Sequence, residues 1–260
     1  MPKQSLKLKI FLPMFNVEKW INTTFNSLKN QTYKEFETFF IDDCSEDNTV
    51  DILTKSISSD DRFKIIRNEE RKGIFFNRCN RIKEATENTD QEDIIVTIDG
   101  DDWLSNKQAI QKVYDAHIEG AVYTHGSYLE YPQGILADAG EFSEEVKESC
   151  SYRKDRWRCG GLRTFRKFLL DKVSEDDGKD RDGQMYKSST DLAFTFPMLE
   201  NSEGKIKHFS ECLYIYNRTN PLNCDKLSRS EQVQNELEIR GVTSEELRKI
   251  HSMPIKLTRL

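Results

Sequence analysis

Short apolar segments and helically spaced apolar residues alternate along the first 120 residues of the chain. The predicted strands are Leu6–Leu12, Phe36–Asp43, Phe63–Ile66 and Ile94–Ile98. FETFFI and IIVTI are nearly continuous apolar runs, as expected for strands buried on both faces. Two helices are predicted over Trp20–Leu28 and Ile74–Ala85. Another is capped by Asn48 and Thr49 and ends at Ile57, and a fourth ends near His117. This alternation predicts right-handed βαβ units and an α/β fold with a mostly parallel central sheet flanked by helices.

The pattern is less regular beyond residue 120. It predicts a strand over 121–131 and an extended segment over 206–216. Helices are predicted over 162–173, over 191–199 despite Pro197, and over 231–240. Because no internal repeat or low-complexity linker interrupts the chain, we predict one domain over 1–225, divided near residue 120, and a C-terminal helical extension over 226–260.

Composition narrows the class of protein. With 36% hydrophobic and 32% charged residues, the 260-residue chain has the profile of a globular protein rather than a disordered one. The net charge of −6 argues against a nucleic-acid partner, which would require a basic surface. No apolar run is long enough for a transmembrane segment, and the N-terminal apolar stretch is too short for a signal peptide, so we expect a cytoplasmic protein. Its six cysteines are widely spaced, which favours reduced thiols over zinc sites or disulfides.

A cluster of acidic residues follows the fourth predicted strand. The segment IIVTIDGDDWL (94–104) places Asp99, Asp101 and Asp102 within four positions. Ligands of parallel α/β sheets bind beyond the carboxyl ends of the strands, and hard cations such as Mg²⁺ share their shell between carboxylates and substrate phosphates. The pattern alone is weak evidence, because Asp180 and Asp182 repeat it in a charged loop. The position after a buried strand favours a metal site.

Other candidate residues each allow two interpretations. Asp43, after the second strand, is either a turn residue or a carboxylate that accepts a base N–H. Arg78 is either a solvated helical arginine or a partner of phosphate or base. Asp191 either caps a helix or serves as a general base. Trp103 and Trp157 suit core packing or sugar stacking.

These segments together resemble the family 2 glycosyltransferases. LKIFLPMFNVEKWINTTFNSLKNQTYKEFETFFIDDCSEDNT resembles the N-terminal half of that family, KGIFFNRCNRI is similar to its Gly-x-x-x-Ala-Arg-Asn segment, and IDGDDWL to its Asp-x-Asp-Asp stretch. The resemblance covers about residues 5–120. Later, TDLAFTFPMLE is similar to the Glu-Asp helix that carries the family's catalytic base, with Thr190 in place of the glutamate, and ECLYIYNRTN to its Tyr-Arg strand. Cys79 and Phe75-Phe76 also depart from the family pattern.

The resemblance implies a GT-A fold, with a nucleotide-binding half over 1–120 and an acceptor-binding half over 121–225. It implies that Pro13 and Phe15 line the nucleotide pocket. Asp43 would pair with the base, and Arg78 would lie near base or phosphate.

For the metal, the resemblance implies that Asp101 is the main ligand of Mn²⁺ or Mg²⁺ and that Asp99 contacts the ribose or the metal. An exchange of roles between Asp101 and the adjacent Asp102 stays open. Asp191 would be the catalytic base.

The implied function is transfer of a sugar from a nucleoside-diphosphate sugar to a hydroxyl of a carbohydrate or other acceptor. The transfer would be metal-assisted and would invert the anomeric centre. A UDP-sugar is the favoured donor, since Asp43 suits the N3–H of uracil, and segment 156–165 is the preferred acceptor region. Two alternatives are a non-catalytic nucleotide- or carbohydrate-binding protein on a GT-A scaffold and a sugar nucleotidyltransferase. The second would require a glycine-rich loop, and LPMFNVEKW contains no glycine.

Overall fold

The computed structural model describes residues 6–137, 139–223 and 229–253. Within them one mixed sheet of nine strands forms the centre of the molecule. The strands are β1 (Leu8–Met14), β2 (Phe36–Asp42), β3 (Phe63–Arg67), β4 (Ile94–Thr97), β5 (Trp103–Leu104), β6 (Tyr123–Tyr131), β7 (Ile135–Leu136), β8 (Arg163–Arg166) and β9 (Ile206–Asn217).

The sheet order is β3-β2-β1-β4-β8-β6-β9-β5, and β7 pairs with β6. Strands β1 to β4 pair in parallel, and β8 is antiparallel to both β4 and β6. Strand β9 runs parallel to β6, whereas β5 and β7 are antiparallel to their neighbours. Six of the nine described strands therefore point in one direction, and their carboxyl ends meet at one edge.

Helices cover both faces of this sheet. They are α1 (Ile21–Lys29), α2 (Thr49–Ile57), α3 (Ile74–Phe76), which continues through a π-helical stretch (Asn77–Arg81) into α4 (Ile82–Ala85), α5 (Ala109–Ile118), α6 (Glu144–Glu148), α7 (Lys167–Leu170), α8 (Thr190–Glu200), α9 (Arg229–Arg240) and α10 (Ser244–Ser252).

Alternate side chains of β1 enter two separate hydrophobic clusters. Ile10 and Leu12 pack with α1, α2 and α5 on one face, and Phe11 packs with α3, α4, α7 and α8 on the other. Residues of a strand point alternately to opposite faces, so the near-continuous apolar runs fill both clusters. This arrangement confirms the predicted α/β fold with flanking helices.

Several local predictions were wrong. Residues 162–173 do not form one helix: β8 occupies 163–166 between β4 and β6, and only the four-residue α7 follows. Strand β1 does not end at Leu12, as predicted, but continues through Pro13 to Met14. Asn48 stands at the N-cap of α2 without a side-chain capping bond, because its amide donates to Glu18 Oε2.

The C-terminal helices α9 and α10 pack against the rest of the chain. Arg240 Nη1 donates to the carbonyls of Arg153 and Asp155, and Ile239 joins the cluster around α8. The predicted helix over 231–240 is confirmed as α9, whereas α10 was not predicted. No helix among the described residues is long and apolar enough to cross a membrane.

Candidate active site

Backbone hydrogen bonds connect the ends of β1, β2 and β4 and the loops that follow them, at the carboxyl edge of the sheet. Asp43 N donates to Met14 O at 2.9 Å, and Gly100 N donates to Pro13 O at 3.0 Å. A Cβ atom on Gly100 would lie 2.5 Å from Met14 Cβ, closer than side-chain atoms approach. The glycine inside the acidic segment is therefore needed for this approach, which brings the acidic cluster beside the first strand.

Asp99 is paired with an arginine. Arg78 Nη2 donates to Asp99 Oδ1, and the Arg78 side chain is 6% exposed. Burial alone would raise the pKa of Asp99, but the positive charges of Arg78 and Arg163 outweigh it and lower that pKa. Asp99 is therefore ionised at neutral pH, and its partner Arg78 is the arginine predicted from the sequence.

Asp102 is engaged in internal hydrogen bonds. Its Oδ2 accepts from Tyr214 Oη at 2.6 Å and its Oδ1 accepts from Asn217 N at 2.8 Å. Burial, together with repulsion by Asp101 and Asp99, raises the pKa of Asp102 well above its usual range. Asp102 thus anchors the acidic loop to β9.

Asp101 is half-buried and faces the chain that follows β9. Asn220 Nδ2 donates to Asp101 Oδ2 at 2.7 Å. Asp102 is 1% exposed whereas Asp101 is half-buried, and this difference in exposure favours Asp101 as the candidate metal ligand.

Asp43 organises the loop between β3 and α3. Its Oδ1 accepts from Asn68 Nδ2 at 2.7 Å and from Lys72 N at 2.8 Å, and its Oδ2 accepts from Gly73 N at 2.9 Å. Burial would raise the pKa of Asp43, but the hydrogen bonds from Lys72, Asn68 and Gly73 outweigh it and lower that pKa. The carboxylate is therefore charged, and Oδ2 accepts only one of these three bonds.

Phe15 and Pro13 differ in exposure. Pro13 is buried inside β1, opposite Ile41 of β2. Phe15 is half-buried after the strand, and the Arg71 guanidinium carbon lies 3.7 Å from its ring centroid. Phe15 and Arg71 therefore face each other across the loops that flank Asp43.

Asp191 lies in the first turn of α8 and faces strand β8. Arg163 Nη1 donates to Asp191 Oδ2 at 3.4 Å, and the two side chains are 18% and 34% exposed. Ser189, not Asp191, stands at the N-cap of α8. Asp191 is thus held by Arg163 of β8, which lies opposite Thr97 of β4, and it does not occupy the N-cap position.

The other half of the site contains two glycines of the segment 156–165. A Cβ atom on Gly160 would lie 2.4 Å from Gly126 O, and one on Gly161 would lie 2.3 Å from Tyr214 Cδ1. These glycines therefore allow the backbone to pack against β6 and against the tyrosine that holds Asp102.

Asp99 and Asp101 are the residues that would hold a divalent cation. Among residues 6–137, 139–223 and 229–253, no three or more His, Cys, Asp and Glu side chains form a group that could hold a metal by themselves. Two carboxylates suffice, however, where substrate phosphates complete the shell of a hard cation. Asp99 and Asp101 lie close enough to Asp102 for their negative charges to raise its pKa. A bound cation would offset this local negative charge. The residues therefore fit Mn²⁺ or Mg²⁺.

Sequence reasoning did not identify three residues of this site. Arg163 was hidden because its segment was predicted to be helical. Tyr214 and Asn220 lie in or beside ECLYIYNRTN, which was noted only for its Tyr-Arg pattern. A tyrosine and an asparagine at the end of a late strand are a weak signal, because their acidic partners are 112 and 119 residues away.

Comparison with known proteins adds the family. The family model described as Glycosyl transferase family 2 matches residues 9–174, more than half of the chain. The chain is 33% identical over 105 residues to the UDP-Glc:alpha-D-GlcNAc-diphosphoundecaprenol beta-1,3-glucosyltransferase WfgD of Escherichia coli, covering 40% of this chain and 39% of that protein. The matched segments amount to less than half the length of each curated relative.

Two solved structures show the same fold. Staphylococcus aureus TarS 1-349 in complex with UDP-GlcNAc superposes with a TM-score of 0.63 at 17% identity, covering 94% of this chain and 69% of that chain. The mannosyltransferase PcManGT from Pyrobaculum calidifontis in complex with GDP-Man and Mn²⁺ superposes with a TM-score of 0.57 at 14% identity, covering 98% and 67%. These likenesses confirm the predicted GT-A fold, and the comparisons give no support to either alternative function. The chain belongs to glycosyl transferase family 2.

Proposed function

We propose that this glycosyltransferase moves a sugar from a UDP-sugar to an acceptor hydroxyl with inversion at the anomeric carbon and with the help of Mn²⁺ or Mg²⁺. The observation that carries the proposal is the position of Arg163, which pairs with Asp191 and lies in β8 opposite Thr97, two residues before Asp99. This position supports one site for the candidate base and the acidic strand end, as a direct displacement requires.

The donor would bind at the carboxyl edge of β1, β2 and β4. Asp43, ionised and held by the 68–73 loop, would accept the N3–H of uracil through Oδ2, and Phe15 with Pro13 would line the base pocket. Arg78 would neutralise phosphate charge next to Asp99, which would contact the ribose or the cation. UDP is favoured because the TarS complex contains UDP-GlcNAc and the E. coli relative is named for UDP-Glc.

The cation would be held by Asp101 and Asp99. When bound, it would offset the negative charge that develops on the leaving diphosphate. The Mn²⁺ in the mannosyltransferase neighbour supports this assignment. Asp101 would be kept in position by Asn220, and Asp102 would keep the loop fixed to β9 through Tyr214.

Asp191 would remove the proton from the acceptor hydroxyl while that oxygen attacks the anomeric carbon. The bond from the anomeric carbon to the diphosphate breaks as the new bond forms on the opposite face, so no covalent enzyme intermediate is needed. The Asp191 side chain is one-third exposed, so an acceptor bound by the 121–225 half could reach it.

The proposal is tested by incubating the protein with a panel of UDP-, GDP- and dTDP-sugars and measuring release of the nucleoside diphosphate. We expect release from one UDP-sugar above the rate without protein, and loss of that release when EDTA is added. Release of pyrophosphate from a sugar 1-phosphate and UTP would instead identify a nucleotidyltransferase. Binding of a nucleotide sugar without any turnover across simple glycoside acceptors would favour the non-catalytic alternative.

A further inference from the structure

Trp103 and Tyr131 form an aromatic pair that lies outside both hydrophobic clusters. Their ring centroids lie 5.2 Å apart at an interplanar angle of 67°. Tyr131 is 47% exposed and Trp103 is half-buried. Trp157, by contrast, packs edge-on against Phe196 in the cluster around α8. Both tryptophans are half-buried, but Trp157 packs against a hydrophobic cluster, whereas Trp103 packs against the exposed Tyr131.

The aromatic pair borders the acidic cluster. Trp103 directly follows Asp102 and pairs with Ile215 on one side of β9, while Tyr131 pairs with Asn217 on the other side. Asn217 N donates to Asp102 Oδ1. Both rings are therefore attached, through one strand end, to the loop that carries the candidate metal ligand.

Polar residues flank the aromatic pair along the chain. Arg218 N donates to Tyr131 O at 2.9 Å. The Arg218 guanidinium lies near Glu130 and Tyr216, whose side chains point to the other face of the sheet. Asn220, three residues after the end of β9, donates to Asp101. Aromatic faces with a few charged and amide groups beside them suit a sugar ring, whose C–H face stacks on an aromatic ring while its hydroxyls bond to polar groups.

We propose that Trp103 and Tyr131 form a platform on which the pyranose ring of the acceptor stacks. The inference rests on the proposed transferase function, and it specifies that the acceptor is a carbohydrate. It also moves the acceptor contact from the segment 156–165 to the ends of β5 and β6. Trp103 and Tyr131 would orient the acceptor hydroxyl without taking part in the chemistry.

The experiment follows the indole N–H signals of the full chain by NMR. The chain contains three tryptophans, so three signals are expected, and Trp103→Phe assigns the one of interest. Methyl β-D-glucopyranoside and methyl N-acetyl-β-D-glucosaminide are titrated with and without UDP and Mg²⁺. We expect the Trp103 signal to shift saturably while the Trp157 signal stays in place, and Tyr131→Ala to weaken binding about tenfold.

Val233→Ala is the matched control, because Val233 is also an exposed apolar side chain but lies on α9. It should leave the glycoside affinity unchanged. A Trp103 signal that responds to neither glycoside under either condition, or an unchanged affinity in Tyr131→Ala, overturns the platform. The UDP titration in the same spectra reports separately on nucleotide binding, so failure of the platform is distinguishable from failure of the proposed function.

Discussion

Arg163 Nη1 lies 3.4 Å from Asp191 Oδ2 and thereby connects strand β8 to the first turn of α8. Arg163 is largely buried, and its charge also acts on Asp99. In β8, Arg163 lies opposite Thr97, two residues before Asp99. The removal of Arg163 should affect both folding and catalysis, and the two effects can be measured separately.

Arg163→Met should lower the free energy of unfolding by about 1 kcal/mol, because the partly exposed Asp191 loses its ion-pair partner while Asp99 keeps Arg78. Arg163→Lys keeps the charge and should recover most of that stability. Urea denaturation of both variants provides the measurement. If Arg163→Met unfolds at the same urea concentration as wild type, the ion pair contributes nothing to the fold.

Asp191→Asn should lower turnover about 10²-fold or more while leaving the affinity for UDP intact, as expected for loss of a positioned general base. Steady-state turnover and a UDP titration of the same sample separate the two quantities. A variant that retains most of its transfer rate would exclude Asp191 as the base.

The alternatives for the base are the acidic residues of the preceding segment, namely Asp171, Glu175, Asp177, Asp180 and Asp182. Asp171 pairs with Lys167, Asp177 Oδ2 accepts from Ser174 N, and Asp180 Oδ1 accepts from two backbone amides of its own loop. Asp177→Asn is therefore a suitable control, and we expect it to keep wild-type turnover.

Asp43→Ala should weaken UDP binding more than Asn68→Ala does. Asn68 donates to Asp43 but has no predicted contact with the base. Asn68→Ala therefore measures the effect of disordering the loop without removing the contact with the base. The difference should amount to roughly 1.5–3 kcal/mol, the range for a hydrogen bond to a charged group. Pyrophosphate, which lacks a base, should bind both variants equally. Equal losses of UDP affinity in the two variants would reduce Asp43 to a loop anchor.

Asp102→Asn should stabilise the protein increasingly as the pH rises above about 4, the usual pKa of an aspartate. The pKa of Asp102 is raised in the folded state, so the wild type loses stability as the pH rises above the unfolded pKa, and a neutral asparagine avoids that loss. Unfolding in EDTA at pH 5 and pH 7 measures the difference. A gain that is larger at pH 5 than at pH 7 has the opposite sign and would refute this assignment.

Much of the nucleotide-binding half could be predicted because its signals are local. The apolar runs of β1, β2 and β4 and the helical spacing of α1, α2 and α5 each determine one element. Parallel strands then place their carboxyl ends at one edge, so Asp43 and Asp99 were expected to lie near each other. Arg78 was expected beside phosphate or base, and the structure adds its contact with Asp99.

The second half was harder to predict because its contacts are distant in sequence. The apolar spacing of 162–173 suits a helix, yet pairing with β4 and β6 makes 163–166 a strand. That tertiary pairing overrides local preference and turns Arg163 toward Asp191. The Tyr214–Asp102 hydrogen bond likewise depends on β9 lying beside β5, which no local pattern indicates.

The most direct test of the account is a calorimetric titration of UDP and GDP into the wild-type chain, with Mg²⁺ and with EDTA. Asp101→Asn is measured beside it, and the exposed Asp182→Asn serves as the matched carboxylate control. We predict that UDP binds more tightly than GDP and that EDTA weakens the binding. Asp101→Asn in Mg²⁺ should bind UDP as weakly as the wild type does in EDTA. Asp182→Asn should have the same UDP affinity as the wild type. Equal affinity of the wild type and Asp101→Asn for both nucleotides, with and without the cation, would contradict the claim that the acidic strand end is a metal-assisted nucleotide-sugar site.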